Sequence, residues 1–125
     1  MHSAPIDCSL VWPIRHRVMY PDDTPESVKL PLDHQAIHWA MWEGDTPISV
    51  ISVFESEGEW QFRKFATELN WQRKGVGTKL LNFVMQKAEE AGVKRIWCNA
   101  RLSALPFYEK FGMKPVGDTW KAKGF

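Results

Sequence analysis

Cysteine is scarce in this sequence: Cys8 and Cys98 are the only two, they lie far apart, and neither belongs to a metal or redox spacing. That excludes a disulfide framework and a cysteine-based metal knot, and no metal is expected. Charge is nearly balanced. The net charge is +1 over 125 residues with no run of one sign, which argues against a nucleic-acid-binding face or a membrane-surface patch. No apolar run approaches the length of a membrane span. The N-terminal segment is broken by Pro5, Asp7 and Pro13, where a secretion signal needs a long apolar core. These absences lead us to expect a cytoplasmic protein with neither nucleic acid nor membrane as partner. Repeats and low-complexity tracts are missing too, and residues 1–125 suffice for one domain that buries about two-thirds of its unfolded surface. Tryptophan is plentiful, with seven. Most should pack in a core, while Trp71 and Trp120 sit in expected loop or edge positions and are candidates to line a ligand cleft.

Periodicity divides the chain into an antiparallel part and a crossover part. Leu10, Val11, Ile14, Val18 and Met19 keep a helical spacing interrupted by Pro13, which predicts a helix beginning near Pro13 or a bent one. Residues 21–34 hold Pro21, Pro25 and Pro31 with Asp22, Asp23 and Asp33. They read as loop with a turn of helix, either a lid over a substrate or a plain connector. Residues 36–43 alternate, Glu43-Gly44-Asp45 turns, Ile48–Phe54 is β-branched, Glu57-Gly58-Glu59 turns again, and Trp60–Ala66 returns. That is a meander of three antiparallel strands.

Gly77, Leu80, Leu81, Val84, Met85, Ala88 and Ala91 then form one apolar stripe at helical spacing, with Gly92 as the stop. Residues 93–101 follow at once as a strand running into a loop, with Asn99 at the strand's end, so the connection is a crossover between parallel strands. Ser103 is placed to cap a last short helix, Pro106 lies in its first turn and Gly112 ends it. Cys98, on an alternating strand, reads as a buried small hydrophobe, and His16 between two arginines as surface charge.

Between the third strand and the long helix stands Gln72-Arg73-Lys74-Gly75-Val76-Gly77-Thr78. A glycine-pinched turn at a helix N-terminus leaves backbone N–H groups bare where the helix dipole is positive, a seat for phosphate or pyrophosphate. Arg73, Lys74 and Lys79 add mobile positive charge. Two common phosphate loops fail on spacing. Gly77 is followed by Thr78-Lys79 instead of Lys-Ser/Thr, with no glycine five positions earlier, and the third glycine of a dinucleotide fingerprint is replaced by Leu80.

Gln-x-x-Gly-x-Gly at 72–77 resembles the pyrophosphate loop of the GCN5-related N-acetyltransferases (GNAT). Two more blocks occur in the family's order. Phe62-Arg63-Lys64-Phe65-Ala66-Thr67 is similar to the central strand that feeds the loop. Downstream, a strand ending at Asn99 precedes Phe107-Tyr108-Glu109-Lys110-Phe111-Gly112-Met113, similar to the family's Phe-Tyr-x-x-Phe-Gly block. The likeness runs from residue 36 to 117, and residues 12–21 are similar to the opening helix of small bacterial members.

The resemblance implies an α/β fold whose mixed sheet has antiparallel N-terminal strands and a central parallel pair splayed for CoA. It implies an N-acetyltransferase that moves the acetyl group of acetyl-CoA to an amine of a small molecule or protein by direct attack in a ternary complex. Homodimers are common in the family. Carried over residue by residue, Arg73, Lys74, Gly75, Val76, Gly77 and Thr78 would hold the pyrophosphate through main-chain N–H groups, with Gln72 shaping the turn. Phe65, Ala66 and Thr67 would meet the pantetheine arm and thioester through their backbone. Asn99 would bond that arm, or serve only as a turn asparagine. Tyr108 would give a proton to the leaving thiolate, or merely pack.

One departure is visible: few residues follow the last helix, and the family's final strand is expected to be missing, with a partner subunit one way to supply it. Glu55, Glu57, Glu68 and His38 lie near strand ends, but no general base is assigned. A non-catalytic acyl-CoA-binding or sensory module is the alternative, and a nucleotide-phosphate binder a third.

Overall fold

A computed structural model describes residues 1–99, 102–116 and 119–122. Helix α1, Cys8–Met19, starts where Asp7 accepts the N–H of Ser9 at 3.0 Å, a side-chain cap at the N-terminus. It begins ahead of Pro13, which lies inside the helix on an exposed face, while Val11, Ile14 and Arg15 are buried. Helix α2, Val76–Ala91, follows the apolar stripe: Val76, Leu80, Leu81, Val84 and Ala88 are buried, and Gly92 ends it at φ +70°. Residues 21–35 contain two short 3-10 turns, Pro25–Val28 and Asp33–Gln35. Among the described residues no helix is long and apolar enough to cross a membrane.

The strands are β1 (His2–Pro5), β2 (Ile37–Glu43), β3 (Thr46–Ser56), β4 (Glu59–Thr67), β5 (Arg95–Asn99), β6 (Met113–Val116) and β7 (Thr119–Ala122). They form one sheet in the order β1-β2-β3-β4-β5-β7-β6. Every neighbouring pair is antiparallel except β4 and β5, the crossover pair spanned by α2. Strand β1 was not legible as a strand. It is held by register, with His2 opposite Trp42 and Pro5 opposite Trp39.

The expected loss of the final strand is corrected to a shortening. Two strands of four residues follow the last helix, and β7 inserts between β5 and β6. Four residues suffice because β7 is bonded on both sides, so no partner chain is needed to supply it. Strand β5 ends at Asn99 as expected, and residues 100–101 of the loop expected after it lie outside the described residues. Helix α3, Leu105–Glu109, carries Pro106 in its first turn as expected, but Ser103 lies in a preceding 3-10 turn and does not cap it.

Helix α1 covers one face of the sheet, and α2 with the short α3 covers the other. On the α2 face Trp39, Met41, Ile51, Val53, Trp60, Phe62 and Ile96 pack with the helix stripe. On the α1 face Val11 and Ile14 meet Ala40, Val50 and Ala66. Strand β4 changes phase between these layers. Trp60 and Phe62 lie in the α2 layer, then Phe65 joins that layer three positions on, while Ala66 falls to the other. The cause is a bulge: Val50 pairs with Ala66 but Ser52 pairs with Arg63, and Lys64 takes φ +55°. On its other side β4 pairs with β5 only from Glu59 to Gln61. Beyond that the two parallel strands separate, as the splayed pair required.

A buried polar cluster ties α1 to the proline loop. Arg15 is fully buried, while its neighbour His16 bonds the Asp23 carbonyl near the surface. Its guanidinium reaches both carboxylate oxygens of Asp33, at 2.7 and 2.9 Å, and also Ser52 Oγ and the Val28 carbonyl. Trp12 Nε1 and the Leu30 N–H donate to the same carboxylate, and the His38 ring bonds Ser52 Oγ and the Asp33 carbonyl. Burial would push the Asp33 carboxyl up, but the donors from Arg15, Leu30 and Trp12 outweigh it and hold the group at about 2. The loop is thus pinned at Asp33 and at Val28, which is buried.

Candidate active site

The turn ahead of α2 is built by three backbone choices. Gln72 Nε2 donates to the Thr67 carbonyl at 2.9 Å, fastening the turn to the end of β4. Arg73 and Gly75 both take left-handed φ, +63° and +78°. Gly75 is the N-cap residue and no side chain caps the helix. The first-turn N–H groups of Val76, Gly77 and Thr78 therefore have no intrahelical acceptor. An ideal Cβ on Gly77 would stand 3.3 Å from Phe65 Cζ and 3.5 Å from Thr67 Oγ1. The missing side chain lets the helix start sit directly against β4.

One cavity adjoins this turn and a second lies beyond Phe65, which lines both. The larger, about 540 Å³, is bounded by the turn itself, Phe65, Thr67, Trp71, Arg73, Phe107 and Lys110. The smaller, about 220 Å³, lies in the splay between β4 and β5 beside Phe62, Lys64, Cys98, Asn99 and Tyr108. Of the residues singled out in sequence, Phe65, Thr67, Gln72, Arg73, Gly75, Val76, Gly77 and Thr78 come together at the first cavity, and Asn99 and Tyr108 at the second. Lys74 stands apart, with its ammonium 5.4 Å from the Trp71 ring. Ala66 has its side chain in the α1 layer, and its carbonyl accepts from Ser49 Oγ at 3.1 Å. Trp71 does line a cleft, and the Trp120 side chain lies outside the described part.

Sequence reasoning singled out neither Lys110 nor Phe107 for the site, and both line the first cavity. The signal was available: residues three apart on a helix share a face, so Lys110 follows Phe107 toward the same cavity. Tyr108 is wedged between rings, 5.2 Å from Phe107 and 5.8 Å from Phe62 by centroid. Burial pushes its phenol well above the usual tyrosine range, and the neighbouring Cys98 adds to the shift. Cys98 is itself buried and its thiol is pushed up to about 12. Both groups stay protonated at neutral pH, so Cys98 is no thiolate nucleophile.

The carboxylates and imidazole considered as bases are engaged elsewhere or turned away. Glu55 accepts from Trp60, Glu68 pairs with Arg17, Glu57 sits in the β3–β4 turn, and His38 is in the buried cluster. None lines either cavity. The residues present fit a pyrophosphate-bearing arm: bare helix N–H groups, a turn without side chains at Gly75 and Gly77, basic Arg73 and Lys110, and a narrow slot leading to Tyr108.

Gly77→Val is expected to push Phe65 out of the shared wall and to weaken binding of acetyl-CoA by more than about tenfold. Calorimetry on the variant checks this, with circular dichroism confirming that the fold survives.

The acetyltransferase (GNAT) domain family matches residues 16–125. The chain is 28% identical over 120 residues to the uncharacterised N-acetyltransferase YitI of Bacillus subtilis, covering 89% of this chain and 80% of the relative. In fold it is similar to a GNAT family acetyltransferase from Brucella melitensis in complex with acetyl-CoA, at TM-score 0.81 and 15% identity over 99% of this chain and 88% of that one. It is also similar to the ribosomal-protein-S18-alanine N-acetyltransferase of Escherichia coli, at TM-score 0.78 and 15% identity over 99% and 95% of the two chains.

Proposed function

This chain belongs to the GNAT acetyltransferase family, and from that premise we propose that it transfers the acetyl group of acetyl-CoA to a primary amine within the splay of β4 and β5. The observation that carries the reading is the placement of two cavities on Phe65, which lines both: one holds the phosphate-ready helix start and the other the buried Tyr108. The Brucella melitensis neighbour, crystallised with acetyl-CoA, supports the choice of cosubstrate.

Acetyl-CoA, when bound, supplies an acyl group activated as a thioester and open to attack by a neutral amine. The chain's own residues then have separable tasks. The N–H groups of Val76, Gly77 and Thr78 face the pyrophosphate, with Arg73 and Lys110 supplying positive charge. Gln72 and Lys74 keep the turn in shape, one through Thr67 and the other over Trp71. The main chain of Phe65, Ala66 and Thr67 lies beside the bulge, where strand pairing to β5 has ended and N–H groups are free to align the acyl arm. Asn99 supplies an amide from the opposite lip. Burial keeps Tyr108 protonated on Oη, and the phenol would give that proton to a departing thiolate whose own basicity is raised in the same desolvated splay. Among the described residues no acid or imidazole lines the cavities, and we assign the amine's proton to water.

The test is release of free CoA thiol from acetyl-CoA with a panel of primary amines. Thiol release that depends on an amine, with an acetamide product by mass spectrometry, supports transfer. Tight acetyl-CoA binding with no amine-dependent release would leave a non-catalytic acyl-CoA-binding module.

A further inference from the structure

We propose that Lys64 selects the acceptor, and that the acceptor is a small primary amine that also bears a carboxylate. The proposal rests on the acetyl-transfer reading and adds the substrate class.

Three observations converge on this side chain. The first is backbone: Lys64 sits at the β4 bulge with φ +55°, a conformation that L residues other than glycine and asparagine adopt reluctantly. Bulges beside active sites re-aim a side chain, and strain of this kind persists where the site uses it. Here the bulge turns Lys64 toward the C-terminal end of α1, where its ammonium donates to Tyr20 Oη and lies 4.6 Å from that ring.

The second is charge. Arg15, Arg17 and Arg95 each face a carboxylate, whereas Lys64 has no acidic partner among the described residues, although it is half-buried. An ammonium has three donors, and Tyr20 takes one. The third is the cavity. Lys64 and Arg63 are the charged residues lining the splay, and no described acid joins them there. At about 220 Å³ the space is below the roughly 300–1,000 Å³ of ordinary ligand pockets, which restricts the acceptor to a small molecule.

Arg63 lays its guanidinium over the Phe54 ring, 5.7 Å from its centroid, so Lys64 is the cation that marks this wall. With no described acid beside it, the wall repels a polycationic acceptor such as an aminoglycoside or a polyamine. It attracts a carboxylate, and it also favours the neutral form of an amine held nearby, which is the form that attacks. Tyr20 holds the ammonium in place, so little side-chain freedom is lost when the carboxylate arrives.

Matched pairs of probes test this: phenylalanine against phenethylamine, tryptophan against tryptamine, and lysine against cadaverine, with kanamycin as the polycation. In the wild-type chain the carboxylated member of a pair should have the higher kcat/KM by about 10- to 100-fold, mainly through KM. Lys64→Met should remove that preference and Lys64→Arg should keep it. Lys64→Gly, which relieves the backbone strain and so folds readily, should behave as Lys64→Met does. Equal or greater use of the uncarboxylated amines or kanamycin by the wild type would overturn the proposal. So would a preference that survives in both Lys64→Met and Lys64→Gly, or no turnover of any carboxylated amine. Acetyl-CoA binding, measured on the same samples by calorimetry, separates the two failures. Binding without carboxylate preference sinks this proposal alone, and absence of binding sinks the acetyl-transfer reading together with it.

Discussion

Replacing Tyr108 by phenylalanine is expected to lower kcat by about 10²-fold or more while leaving the dissociation constant of acetyl-CoA nearly unchanged. Positioned proton transfer contributes about 10²–10⁴-fold in enzymes, and the only atom removed is the hydroxyl that faces Cys98 in the splay. The ring would still pack against Phe62 and Phe107, so stability should change little. Steady-state kinetics with calorimetry on the same protein checks both halves. The pH profile adds a signature. Since burial raises the Tyr108 pKa above the free value near 10, the wild type should keep its proton donor throughout the neutral and mildly alkaline range. Loss of activity below about pH 9 with a phenol-like pKa that disappears in the phenylalanine variant would contradict this environment.

Arg15→Met is expected to destabilise the fold by about 3–5 kcal/mol, because it strands the buried Asp33 carboxylate without its main partner. Against a total stability of about 5–15 kcal/mol for a domain, that is enough to unfold a large fraction at 37 °C. The double change Arg15→Met with Asp33→Leu should recover much of the loss, since it removes both charges. Urea denaturation of the three variants checks the ordering.

The same cluster predicts an acid dependence. Asp33 is held at about 2, below its ordinary 3.8, so its contribution is fully present above pH 4 and is lost as pH falls toward 2. A shift of this size corresponds to about 2 kcal/mol. In Asp33→Asn that part of the acid slope should vanish, which stability measured between pH 5 and pH 2 would show.

The elements that carried their own periodicity were legible in the sequence. The α2 stripe from Leu80 to Ala88 and the alternation of β2 needed nothing beyond local spacing. The loop from Gln72 to Thr78 was legible because glycine and an uncapped helix start are local facts. What depended on distant partners was not. Nothing local marks Arg15 as buried beside His16 and Arg17, and it is Asp33, eighteen positions away, that makes its burial tolerable. Strand β1 has no pattern of its own and exists because β2 offers an edge.

The closing hairpin was underestimated because four-residue strands fall below what alternation can reveal. The bulge at Lys64 did leave a trace. Trp60, Phe62 and Phe65 pass from a step of two to a step of three within one strand, and a break in the period of two is what an extra residue produces.

The most direct test of the account is calorimetric titration of the purified 125-residue chain with acetyl-CoA, with ATP titrated in parallel. The account predicts micromolar binding of acetyl-CoA with one site per chain and no comparable binding of ATP. A folded chain that binds neither, or that binds ATP as well as acetyl-CoA, would contradict it.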